Sequence, residues 1–117
     1  MDDQISFESL QLPSDRGIVH ARFSHPPSSI AAVVMVGGGD GGFDGPALAI
    51  YPTLAEDFYA KGIATLRLDY RIHSFPGNYE EAIYDVLVGV NYLLEIGIKN
   101  IGLVGHSFGG AVVIETA

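Results

Sequence analysis

The segment from Gly105 to Gly110 has the residue types and spacing of a serine nucleophile held in a tight turn. Its sequence is GHSFGG, in which Ser107 stands between two glycines at the spacing G-x-S-x-G. Such a turn needs small residues two positions before and after the serine, because side chains there would collide. The hydroxyl then projects away from the sheet and can attack a carbonyl carbon. The spacing therefore predicts nucleophilic acyl chemistry at Ser107.

The neighbours of this serine have separate predicted roles. Gly105 and Gly109 relieve the turn, and Gly110 lets the following helix approach the strand. Because a helix N-terminus presents unpaired N–H groups and the positive end of its dipole, the N–H of Phe108 is a candidate donor to an oxyanion. Adjacent side chains diverge on a sharp turn, so His106 is expected to pack or hydrogen-bond beneath it rather than act as the base.

The elements that must position this segment are apolar strands alternating with helices. Two short alternating strands joined by a turn at Pro13–Asp15 predict an antiparallel pair at the start. After them, strands separated by helices are typical of βαβ units and of a parallel sheet covered on both faces. The residues after Gly109 predict a further helix. The predicted strands are 5–12, 17–23, 30–36, 63–68 and 101–104.

Two helices are predicted between the parallel strands. The first begins near Pro52, because a proline inside a continuous helix would kink it, and Gly62 ends it. Asn78 caps the second helix, with Glu81 three residues later as in a capping box, and Gly97 ends it. The predicted apolar stripe of this helix consists of Ile83, Val86, Leu87, Val90, Leu93 and Leu94. The predicted outward face consists of Glu80, Glu81, Asp85, Asn91 and Glu95.

The glycine-rich segment after the third strand supports a second interpretation. Gly37, Gly39 and Gly42 satisfy G-x-G-x-x-G, and Asp69 ends the next strand, as in domains that bind dinucleotides. Against this, residues 43–46 prolong the loop where a helix should have begun, and initial antiparallel strands are foreign to that fold. A polyglycine loop that supplies N–H groups to an oxyanion explains the same residues.

Composition excludes several classes of protein. The chain has 117 residues with 14 acidic and 6 basic side chains, a net charge of −8 and no Lys/Arg cluster, so nucleic-acid binding is not expected. The absence of cysteine excludes disulfides, thiolate chemistry and Cys-based metal sites, and we expect no metal and no cofactor. The start is acidic, unlike a signal peptide, and the longest apolar run, Ile30–Val36, is too short to cross a membrane. We therefore expect a cytoplasmic chain that does not bind a membrane.

Taken together, these motifs resemble the α/β-hydrolase family over essentially all 117 residues. The segment around Ser107 matches the nucleophile elbow of the family, and residues 37–39 occupy the place of its oxyanion loop, where many members carry His-Gly. Residues 66–74 resemble the family's exit from strand four, with Ile72 and Ser74 in place of glycines. The whole pattern is similar to that of small serine hydrolases related to dienelactone hydrolases and short esterases.

The resemblance implies an α/β-hydrolase-type, mostly parallel sheet with helices on both faces, and Gly38 as a second oxyanion donor. It places the triad acid and histidine after strands six to eight, beyond this chain. Residues 1–117 are therefore expected to be the N-terminal portion of a single domain, comprising strands one to five and the elbow. Ser107 would attack an ester, thioester or related acyl bond of a small molecule.

The chain alone is expected to show little or no turnover, because none of its four histidines is placed to act as the base. The alternative is a non-catalytic fragment, or a subunit that needs a partner. The last strand, residues 101–104, would be an uncovered apolar edge, which predicts self-association or binding of a partner chain there.

Overall fold

Five strands and three helices follow one another in the order that the sequence predicts. The computed structural model describes residues 7–37, 42–45, 50–73, 79–106 and 108–116. The strands are β1 (Glu8–Ser14), β2 (Gly17–Ser24), β3 (Ala31–Val36), β4 (Ala64–Asp69) and β5 (Asn100–Gly105). The helices are α1 (Ile50–Ala60), α2 (Tyr79–Glu95) and α3 (Phe108–Thr116).

The uninterrupted apolar strand β3 lies between two parallel neighbours, β4 and β5. Strand β2 pairs antiparallel with β4, and β1 with β2, so the order is β1-β2-β4-β3-β5. Val34 pairs with Leu66 on one side and with Leu103 on the other, and it has no exposed surface. In the part of the chain that the structure describes, β5 is an edge strand. Because β3, β4 and β5 are parallel, the segments that follow them leave the sheet at the same edge.

The turn between the first two strands lies further along the chain than predicted. β1 continues through Pro13 and Ser14, and the turn consists of Asp15 and Arg16. Ser14 Oγ donates to the carbonyl of Gly17 at 2.6 Å and accepts from the Arg16 N–H at 3.2 Å, which supports a turn at this position. Pro13 is tolerated because β1 is an edge strand and does not need every N–H for pairing.

The first helix also begins earlier than predicted, at Ile50 rather than at Pro52. The proline is accommodated because the N–H groups of the first helical turn have no acceptor within the helix. The predicted ends are confirmed: Gly62 after α1 has φ +78°, and Gly97 after α2 has φ +96°. Glycine adopts this left-handed conformation without steric cost and lets the chain turn back towards the sheet.

The buried face of α2 differs from the predicted stripe. Leu87 and Leu94 are 43% and 46% exposed. The helix instead approaches β4 along Gly89, where a Cβ atom would lie 2.8 Å from Leu68 Cδ1 and 3.2 Å from Leu66 Cδ2. The predicted cap, Asn78, lies outside the described residues. The buried residues of α2 are Ala82, Asp85, Val86, Gly89 and Leu93.

Asp85, which was expected to face solvent, is 1% exposed and binds Arg71 from the segment after β4. Its carboxylate accepts from the Arg71 backbone N–H at 2.9 Å and from the Arg71 Nε. Arg71 also donates to Glu81 Oε1 at 2.7 Å and to the Arg16 carbonyl at 2.9 Å. Burial raises the pKa of Asp85, whereas the hydrogen bond from Arg71 lowers the pKa of Glu81. One arginine thus joins the exit of β4 to α2 and to the β1–β2 turn.

Replacing this arginine tests how strongly the fold depends on the buried ion pair. Arg71→Met leaves the Asp85 carboxylate without its cation, so we expect the free energy of unfolding to fall by about 3–5 kcal/mol. In Arg71→Met/Asp85→Leu, most of this loss should be recovered because no buried charge remains. Arg16→Met, at a half-exposed side chain, serves as the control and should cost less than about 1 kcal/mol. Urea denaturation measures all three, and a double variant as unstable as Arg71→Met would contradict the interpretation.

Candidate active site

The end of β5 and the first turn of α3 are in direct backbone contact. A Cβ atom on Gly105 would lie 2.1 Å from the carbonyl oxygen of Gly109 and 2.8 Å from the backbone nitrogen of Gly110. The Gly109 N–H donates to the His106 carbonyl at 2.8 Å. Ser107 itself lies outside the described residues, but the residues on both sides of it are joined by this contact. Only glycine fits at position 105, as the spacing predicts.

The same helical turn also rests on the backbone that leaves β3. A Cβ atom on Gly109 would lie 2.4 Å from the carbonyl oxygen of Gly37 and 3.0 Å from that of Val36. The N-terminus of α3, which begins at Phe108, is therefore adjacent to the start of the glycine-rich loop. Gly38, the predicted second donor, lies outside the described residues. The structure brings together the segments that contain the predicted site residues, at the carboxyl edge of the parallel strands.

Two details of the predicted turn are wrong. A Cβ atom on Gly110 would meet only the Gly105 carbonyl, at an ordinary distance of 3.8 Å, so the close approach does not require glycine there. It is Gly109 that permits the approach, because it faces the exit of β3. His106 is exposed rather than packed beneath the turn.

Two buried tyrosines, which the sequence analysis missed, hold the backbone at the exit of β3. Tyr51 donates its hydroxyl to the Val36 carbonyl at 2.8 Å, and Tyr70 donates to the Gly37 carbonyl at 3.0 Å. The tyrosine side chains are buried, with residue exposures of 3% and 4%. Burial raises the pKa of both phenols, so they stay protonated and remain donors at neutral pH. A signal was available for Tyr70, since it directly follows β4 at the edge where the loops meet.

Asp69 holds the other end of the glycine-rich loop. Its Oδ1 accepts from the Gly42 N–H at 2.7 Å and lies 2.7 Å from His73 Nε2. The carboxylate that the dinucleotide interpretation needs for a ribose is thus engaged with the loop, and a ribose would have to displace this contact. His73 is half exposed and paired with this carboxylate. Gly39 lies outside the described residues.

Tyr51 also joins the end of the glycine-rich loop to α1. The Tyr51 N–H donates to the Asp44 carbonyl at 2.9 Å. The Tyr51 ring also packs against Gly45, where a Cβ atom would lie only 2.6 Å from the ring carbon Cγ. Gly45 has φ +74°, so its conformation also favours glycine. The backbone N–H and the ring of Tyr51 therefore hold the end of the loop, while its hydroxyl binds the last residue of β3.

Neither a metal-binding cluster nor a membrane-spanning helix occurs in the described ranges. Among those residues, no three His, Asp or Glu side chains come together in a way that could hold a metal ion. No helix among them combines the length and the apolar character needed to cross a membrane.

Comparison with known proteins gives a fold but no sequence family. No family model matches the chain. A search of curated proteins also finds no match. Solved structures do match: Est1E from Butyrivibrio proteoclasticus with bound ferulic acid superposes with a TM-score of 0.78 and 21% identity, over 92% of this chain and 46% of that one. Dienelactone hydrolase from Anabaena variabilis superposes with a TM-score of 0.79 and 16% identity, over 97% and 57%.

A third structure, an α/β serine hydrolase homologue from Coxiella burnetii, superposes with a TM-score of 0.74 and 16% identity, over 97% of this chain and 58% of that one. The chain therefore has the α/β-hydrolase fold, as the resemblance in its sequence predicts. It spans about half the length of the structures that it matches.

The backbone contacts predict a sharp difference between neighbouring glycines. Gly105→Ala and Gly109→Ala each place a methyl group within 2.4 Å of a backbone oxygen, so strand and helix must separate. We expect each to lower the free energy of unfolding by about 3 kcal/mol. Gly110→Ala is the matched control and should be neutral, or stabilising by up to about 1 kcal/mol, because alanine is the better helix former. Thermal unfolding of the three variants measures this, and equal effects at all three positions would contradict the contact.

Proposed function

We propose that the protein is a serine hydrolase that acts on an ester, thioester or related acyl bond of a small molecule, with Ser107 as nucleophile. The observation that carries this proposal is the close backbone approach of Gly109 to both Gly105 and Gly37. It joins the G-x-S-x-G segment to the N-terminus of a helix and to the glycine-rich loop, which are the parts that acyl transfer requires. The esterases and hydrolases among its structural neighbours support the same class of reaction.

In this proposal the oxyanion of the tetrahedral intermediate is held by backbone N–H groups. Phe108 is the first residue of α3, so its N–H has no acceptor within the helix and lies at the positive end of the helix dipole. The N–H of Gly38 is the second donor, supplied by the loop whose first residue touches Gly109. Two such donors, fixed before the reaction begins, stabilise charge that develops only in the transition state.

The reaction needs a base, and the four histidines of this chain do not supply it in this proposal. His73 is paired with Asp69, and the other three, His20, His25 and His106, are exposed. The Ser107 Oγ forms a bond to the acyl carbon, its proton passes to a base outside these residues, and the leaving group departs. Water then cleaves the acyl-enzyme. We further propose that residues 1–117 correspond to the first portion of a single hydrolase domain.

Labelling and substitution of Ser107 test the proposed nucleophile, and both are done in the full protein that the gene encodes, called the encoded protein below. A fluorophosphonate probe should form a phosphorus–oxygen bond at Ser107 with release of fluoride. Ser107→Ala should abolish this labelling and lower kcat for p-nitrophenyl acetate by at least about a thousand-fold. Ser9→Ala, at an exposed serine of β1, is the control and should leave both unchanged. Full labelling and hydrolysis in Ser107→Ala would contradict the proposal.

The isolated 117-residue chain gives a separate test of where the base lies. Without a base the serine hydroxyl is a weak nucleophile, so we expect probe labelling at least about a hundred-fold slower than in the encoded protein. Mass spectrometry of the labelled peptide measures this rate. Rapid labelling of Ser107 in the isolated chain would show that the base lies within residues 1–117, and alanine variants of the four histidines, made one at a time, would then identify it.

A further inference from the structure

We infer that Tyr70 is a positioning residue for the oxyanion donor of the glycine-rich loop. Its hydroxyl binds the Gly37 carbonyl, which belongs to the same peptide unit as the N–H of Gly38, the second donor in the proposed mechanism. The inference rests on the proposed function and adds a residue to it. Tyr70 does not touch the substrate; it acts through the backbone that it holds.

The need for such a residue follows from the composition of the loop. Glycine has no side chain to pack and adopts many backbone conformations, so consecutive glycines do not fix the direction of their own N–H groups. The C=O of one residue and the N–H of the next belong to a single planar unit. A hydrogen bond that holds the Gly37 carbonyl therefore restricts the direction in which the following N–H points.

Two groups lie close to the Gly37 carbonyl oxygen. Tyr70 donates its hydroxyl to this oxygen at 3.0 Å. The first turn of α3 approaches so closely that a Cβ on Gly109 would lie 2.4 Å from the same oxygen. The carbonyl therefore contacts both a buried phenol and the helix that supplies the first proposed donor.

Tyr51 provides a matched comparison within the same chain. It is buried to the same degree as Tyr70 and makes the same kind of bond, but to the Val36 carbonyl, one residue earlier. That carbonyl shares its peptide unit with the N–H of Gly37, which is not a proposed donor. Loss of either hydroxyl leaves one buried carbonyl without this donor, so the cost to folding should be similar. Only the loss at Tyr70 should disturb the oxyanion donor.

The test compares Tyr70→Phe with Tyr51→Phe in the encoded protein. Removing an oxyanion donor lowers kcat by about a hundred- to a thousand-fold, and a donor that is present but loosely held should cost less. We expect Tyr70→Phe to lower kcat for p-nitrophenyl acetate by roughly ten- to a hundred-fold with KM changed less than about three-fold. Tyr51→Phe should change kcat by less than about three-fold. Thermal unfolding should show similar losses of stability in both.

A conservative replacement separates positioning from packing. In Tyr70→p-aminophenylalanine the ring keeps a donor at the same place, so kcat should return to within about three-fold of the unmodified protein. In Tyr70→p-fluorophenylalanine the size is kept but the donor is lost, and kcat should fall as in Tyr70→Phe. This pair also serves if Tyr70→Phe fails to fold.

The outcomes distinguish failure of the inference from failure of the proposed function. If Ser107→Ala is inactive while Tyr70→Phe retains full kcat, or while both tyrosine variants lose kcat equally, the positioning role is overturned and the hydrolase proposal stands. If Ser107→Ala retains its activity, the proposed function is overturned and the positioning role falls with it.

Discussion

The structure depends on one contact between backbone segments that leaves no room for side chains. At the carboxyl edge of the sheet, backbone atoms of Gly37, Gly105 and Gly109 approach so closely that a methyl group fits on neither Gly105 nor Gly109. The parallel pairing of β3 with β5 brings the two loops together, and the direction of α3 presses its first turn against both. A contact of this kind has no side-chain packing to hold it in place. Its geometry must come from the sheet and from hydrogen bonds to carbonyls.

Three consecutive residues at the end of β4 and just after it supply much of that support. Asp69 accepts an N–H from the glycine-rich loop, Tyr70 donates to the carbonyl at the start of the loop, and Arg71 binds the buried carboxylate of Asp85 on α2. Because successive side chains at the end of a strand point in different directions, one short segment reaches both the loop and a helix. The exit of β4 is thus the place where the frame of the site and the core of the fold are joined.

Local patterns were enough to predict the strands, the glycines that end α1 and α2, and the need for glycine at positions 105 and 109, since each follows from short-range geometry. Local patterns do not predict the position of a side chain whose binding partner lies far away in the sequence. Asp85 is charged, which predicts an outward position, yet it is buried because Arg71, 14 residues earlier, binds it. The hydroxyl of Tyr70 bonds a carbonyl 33 residues away, and no periodicity along one element contains that information.

The order of strands in the sheet has a consequence for how the chain folds. β2 and β3 are consecutive in sequence, yet β4 lies between them, so β2 reaches its native neighbour only after a segment some 40 residues later has been made. The β1–β2 hairpin can form early from local contacts, but it has to wait for β4 before it joins the sheet. During synthesis its apolar face, including Val19 and Phe23, remains uncovered through that interval. The hairpin is thus made first and docks late, and until it docks its apolar face is open to contacts with other chains.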